Sequence, residues 1–217
     1  MNGITHIISP ANAGWVSWIL LALMACALVA EFLQRGLISQ AVQSLITRSN
    51  RTYKEAQVNL WAQALIYIFR IGTIALALCL CCYSGETFTL AAFGAVCGLI
   101  IGLLILKIAC QGVLDYTFRF SRMFESAYEP YANIMTLVAL ILYPTILVLL
   151  RVDNTIAAKW CVGIVATVFM LLWLYRGGRI FIQSPRAILY FVIYMATLEF
   201  LPMMALYYLS EITIKHL

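Results

Sequence analysis

The stretch "ILYFVIYMATLEFLPMMALYY", residues 188–208, decides the fold class, because it runs twenty-one residues with one charged side chain, Glu199. At a rise of about 1.5 Å per residue a helix of that length covers about 30 Å, the thickness of a bilayer's hydrocarbon core. Such runs recur at about 14–32, 60–83, 88–112, 131–150 and 157–175, with the quoted one extending over 187–209. Composition agrees: 64% apolar residues, 11% charged residues and a mean hydropathy of +0.95 lie far from the averages of soluble domains. The reading is an all-α polytopic membrane protein, a compact bundle of about six transmembrane helices with amphipathic cytoplasmic loop helices. Residues 1–217 form a single domain, since the connecting segments are too short for a separate soluble catalytic unit. No Lys or Arg precedes the first run, so a retained helix is expected there instead of a cleaved signal peptide.

Loop charge predicts the topology. Arg35, Arg48, Arg51, Lys54, Arg119, Arg122, Arg176, Arg179 and Arg186 fall on one side, against Arg151, Lys159 and Lys215 on the other. Short basic loops stay in the cytoplasm, so both termini are expected outside, in the periplasm of a bacterial inner membrane. Trp15, Trp18, Trp160, Tyr207 and Tyr208 then fall near the outer boundary, and Trp61, Trp173 and Tyr175 near the inner one. The net charge of +5 is accounted for by anionic inner-leaflet lipids and calls for no nucleic acid.

Within this topology two charges share a level. Arg70 lies about ten residues into the second run and Glu199 about twelve into the sixth, both from the cytoplasmic side. An isolated charge near the midplane costs at least about 2.5–3.5 kcal/mol. The expectation is that Arg70 and Glu199 pair in the bundle interior, either as a static bridge or as a protonatable or substrate-binding pair. Gln63 and Thr73 share a helical face with Arg70 and extend a polar stripe. Pro144 and Pro202 are read as helix breaks that free the carbonyls of Leu140 and Leu198. Gly94, Gly98 and Gly102, four apart, form a helix-packing seam whose partner is another helix of this chain or a second protein. Lys107 lies about 140° round from that seam. It is expected to snorkel to the interface, with Asp115 and Asn133 as other partners within reach.

The loop "FRFSRMFESAYEP", 118–130, places Phe120, Met123, Phe124, Ala127 and Tyr128 on one face, which predicts an interfacial helix ending before Pro130. "LQRGLISQAVQSLITRSNRTYKEAQ", 33–57, suggests a second such helix, and Arg176-Gly177-Gly178-Arg179 a weak anion clamp on flexible backbone. The seven cysteines are read as small apolar packing residues, since no companion set of zinc ligands accompanies them. His6 and His216 lie near the two ends without a carboxylate cluster. No catalytic motif is found, so no catalytic residue, metal or cofactor is assigned.

"RAILYFVIYMATLEFLP" (186–202), with Lys107, "SRMFESAYEPYANI" (121–134) and Pro144, resembles a family of Bacteroidota inner-membrane proteins known as domain of unknown function 4271. The resemblance covers roughly residues 30–209, and Thr197 to Pro202 is its most specific part. It implies a bacterial inner-membrane location and a compact helical bundle, and no established activity.

Two functions follow. The leading one is a non-enzymatic subunit or scaffold of a larger envelope complex, with another membrane protein or a second copy as partner beside membrane lipids. The alternative is a small transporter or lipid-handling protein built on Arg70 and Glu199.

Overall fold

A computed structural model describes residues 14–46, 59–82, 89–118, 121–152, 155–181 and 195–216. Described elements are helical throughout: α1 (Gly14–Leu33), α2 (Leu37–Ile46), α3 (Leu60–Cys82), α4 (Leu90–Phe118), α5 (Ser121–Val152), α6 (Thr155–Phe181), a π-helical segment (Met195–Phe200) and α7 (Leu201–His216). Four helices contain spans long and apolar enough to cross a membrane: Gly14–Leu33, Leu60–Cys82, Leu90–Val113 and Tyr131–Arg151. Two further apolar helical stretches, Lys159–Tyr175 and Leu201–Ile214, are shorter. The molecule is an all-α membrane bundle.

The helix starts follow from local chemistry. Asn59 accepts at Oδ1 from the amide of Trp61 at 3.1 Å, and Thr89 accepts at Oγ1 from the amide of Ala92 at 3.2 Å. Each cap satisfies one of the amides that the first turn of α3 or α4 leaves without a partner. Between α1 and α2 the chain turns through Gly36, whose φ of 86° lies in the left-handed region that glycine enters without strain. The turn is held by the one carboxylate of α1: Glu31 accepts from the amides of Gly36 at 2.7 Å and Ile38 at 2.9 Å.

α3 is the axis of the bundle and packs against α1, α4, α5, α6 and α7. Small side chains make that possible: Ala62, Ala75, Ala77, Cys79, Cys81 and Cys82 are all buried along it. In lipid, tails outside are as apolar as leucine inside, so helices associate by close packing, and small residues allow it. Gly72 is the tightest instance. A Cβ there would meet Cδ2 of the buried Leu23 on α1 at 2.5 Å. The cysteines therefore do serve as packing residues on α3; Cys82 lies 3.7 Å from the hydroxyl of Ser210 on α7.

Several expectations are corrected. α5 is one helix from Ser121 to Val152, so Pro130 does not separate a loop helix from a span. Pro144 is no break either, since α5 continues through it and its side chain is exposed. Proline removes one backbone bond, and the packing of α5 against α2, α3 and α6 outweighs two such losses in 32 residues. Arg176-Gly177-Gly178-Arg179 is part of α6, not flexible backbone. α2 is the separate amphipathic loop helix, burying Leu37 and Ala41 and exposing Ser39 and Val42. The expected irregularity before Pro202 is present, as a widened π turn that gives way to α7 one residue before the proline.

Candidate functional site

The site is built where α4, α5, α6 and the π segment come together. Lys107 on α4 extends its Nζ to Oε1 of Glu199 in the π segment at 2.6 Å, and the two side chains are only 10% and 2% exposed. This corrects the expected snorkelling of Lys107. α4 continues to Phe118, about six residues beyond the apolar run read from sequence, so Lys107 sits three turns from the helix end. The same ammonium lies 3.8 Å from the ring centroid of Tyr131 on α5, close enough for a strong cation–π contact. Tyr131 meets Trp173 of α6 edge to face at 5.0 Å between centroids. Glu199, Lys107, Tyr131 and Trp173 thus form a continuous chain of contacts through four elements.

Beside this chain lies a cavity of about 590 Å³, walled by α3, α4, α5, α6, the π segment and α7. Its volume falls within the roughly 300–1,000 Å³ of small-molecule sites. On α3 the lining runs from Tyr67 to Cys81 and on α6 from Lys159 to Trp173. Both intervals are fourteen residues, or about 21 Å at 1.5 Å per residue. Because successive helices alternate in direction, the polar groups gather at one end. Arg70 of α3 lies there, its guanidinium carbon 4.8 Å from the centroid of Tyr67, with Lys107, Gln111, Tyr131, Trp173 and Glu199. From that end the wall is apolar, with residues such as Ile74, Leu104, Val138, Phe169 and Met203, until Lys159 and Tyr207 at the other.

Arg70 and Glu199, placed at one depth by the sequence, therefore line one cavity, and Pro202 lines it too. The rest of the polar set does not converge there. Thr73 turns its hydroxyl back onto the carbonyl of Phe69 at 2.7 Å, which satisfies it within α3. Gln63 and Asn133 are half-buried outside the lining, and the side chain of Asp115 lies outside the described residues, as do His6, Arg48, Arg51, Lys54, Arg119 and Arg186. Among the described residues the glycine seam meets no other helix: Gly94, Gly98 and Gly102 are exposed, and a Cβ on any of them would have no neighbour within 4 Å. That face of α4 points out of the bundle, which explains why Lys107, about 140° away, points in.

Two residues of this cluster were missed in the sequence, Tyr131 and Trp173. Trp173 is expected among interfacial aromatics yet is 1% exposed, whereas Trp18, Trp61 and Trp160 are each over 70% exposed. Its indole N–H meets no hydrogen-bond acceptor among the described residues. Beside Arg70 and Glu199, the sequence carries a further signal for the site in the lone charge of Lys107 between Leu90 and Gly112, on the face away from the glycines.

A family model described as "Domain of unknown function (DUF4271)" matches residues 16–209. The chain belongs to that family. In this DUF4271 chain, the hexad Thr197 to Pro202 spans most of the π segment and the start of α7, and it delivers Glu199 to Lys107. No curated protein and no solved structure matches the chain.

Proposed function

We propose that the protein is a lipid-handling membrane protein that holds one amphiphilic molecule inside its bundle, without catalysing a reaction on it. The observation that carries this reading is the long apolar cavity with its charged and aromatic groups at one end. A site of this kind accepts a tail along its wall and a polar head at Lys107, Arg70 and Glu199. π segments within helices occur often at functional sites, and this one bears Glu199. The test is native mass spectrometry of the full chain, purified from its membranes in mild detergent. One amphiphile retained in one-to-one ratio is expected; a chain that carries none through detergent exchange refutes the proposal.

A second reading has its own support. Gly94, Gly98 and Gly102 leave a smooth exposed strip on α4, and such strips let a second transmembrane helix approach closely. As a subunit of an envelope complex, the protein would dock a membrane partner or another copy there. Cross-linking from Gly98→Cys in native membranes should capture a helix, and failure to do so speaks against it. In either role we place the chain in a bacterial inner membrane with both termini periplasmic, on the basic residues of its alternate loops. Reporter fusions to each terminus test that orientation.

A further inference from the structure

We infer that the molecule held in the cavity has a single hydrocarbon chain, with a head oxygen at the Trp173 end, and that two-chain lipids of the surrounding bilayer are excluded. This rests on the lipid-handling reading above and adds the chemical class of the ligand.

Width is the first ground. The cavity's volume of about 590 Å³ lies along the fourteen residues from Trp173 to Lys159 on α6, about 21 Å, which gives a mean cross-section of about 28 Å². A methylene group is close in size to a water molecule, whose share of the liquid is about 30 Å³. Sixteen such groups spread over a leaflet's depth of about 15 Å therefore need a cross-section of about 32 Å². One chain fills the width of the cavity, and two chains need over twice that width.

Width alone would let a two-chain lipid keep one tail outside, so the position of the head decides. Trp173 is 1% exposed, lines the cavity and has an indole N–H without a hydrogen-bond acceptor among the described residues. An indole nitrogen only donates, and a buried donor left unpaired costs free energy, so the group beside it must bring an acceptor. In an amphiphile the acceptor oxygens belong to the head, whatever its charge. The head therefore lies at the end where Trp173, Glu199 and Lys107 are 1%, 2% and 10% exposed, among α4, α5, α6 and the π segment. Diacyl lipids branch next to the head. Both of their tails would start inside the bundle, where the width admits one.

The test uses the full chain in detergent, stripped of bound lipid by exchange, and compares probes that differ in the number of chains at a constant head. Monopalmitoylglycerol is set against dipalmitoylglycerol, and palmitoyl lysophosphatidylglycerol against dipalmitoylphosphatidylglycerol. Native mass spectrometry should show one-to-one binding of a one-chain probe, at least tenfold tighter than its two-chain counterpart. Equal or tighter binding of the two-chain probes overturns the inference while leaving an amphiphile site standing. Ala166 lines the cavity seven residues, about 10 Å, from Trp173, so Ala166→Trp should shift the preferred monoacylglycerol from sixteen carbons to about eight. Val162→Phe, a smaller change about 16 Å from Trp173, should shift it to about twelve and serves if the first variant misfolds. A folded variant with unchanged chain preference overturns the placement of the tail. Trp173→Phe should weaken monopalmitoylglycerol binding by about fivefold, the value of one hydrogen bond, and leave hexadecane, which has no oxygen, unaffected. An equal loss for both overturns the placement of the head. Binding of none of the probes, with no amphiphile found before stripping, overturns the lipid-handling reading itself.

Discussion

α3 and α4 have nearly the same mean hydropathy, yet 67% of the apolar window of α3 is buried inside the bundle against 11% of that of α4. In a soluble protein such similarity would place both in the core. Here it does not, because lipid is as good a solvent for leucine as the protein interior, so apolarity reports membrane depth and says little about facing. Facing is set instead by small residues that admit a neighbour and by charges that cannot meet lipid. α3 has both in its contacts, with Gly72 against Leu23 and Arg70 in the cavity wall. α4 divides them, glycines outward and Lys107 inward.

The contrast can be broken most forcefully at Lys107, the charge that α4 turns toward Glu199. Lys107→Met leaves Glu199 buried without its cation and should lower stability by about 3–5 kcal/mol, read as a shift in the thermal or SDS-induced unfolding of the detergent-solubilised chain. The double variant Lys107→Met with Glu199→Met should regain most of that loss. A Lys107→Met chain that unfolds like the parent would mean α4 is held by its apolar contacts alone.

Glycines give the next largest difference. Gly72→Val forces a side chain onto Leu23 and should cost about 1–3 kcal/mol, as overpacking does in close-packed interiors. A smaller effect is expected from Tyr143→Phe, which removes a bond of 3.1 Å from its hydroxyl to the carbonyl of Leu20 and with it about 1 kcal/mol of the contact between α5 and α1. Smallest of all is Gly98→Val, for which open space predicts a change within about 0.5 kcal/mol in the isolated chain. If Gly98→Val proved as damaging as Gly72→Val in native membranes but not in detergent, the outward strip would be occupied there.

The helices were legible because length and apolarity are properties of a run, and each run read from the sequence falls wholly or partly within a helix of the structure. The loops were less so. Pro130 and Pro144 carry a local signal for termination that the packing of α5 overrides, and nothing near them in the sequence reports that packing. Arg70 and Glu199 were found because charges in apolar runs are conspicuous. Lys107 was visible too but was assigned to the interface, since the end of an apolar run is not the end of a helix. Tyr131 and Trp173 could not be separated from interfacial aromatics, because the same amphipathic side chain suits a membrane boundary and a polar end of a buried cavity.

Glu31 has a mechanical meaning as well. With one oxygen on the amide of Gly36 and the other on that of Ile38, it clamps both sides of the bend between α1 and α2. The bend is an elbow braced by a side chain of the first span, so the carboxylate of Glu31 ties the direction of the short helix to that span.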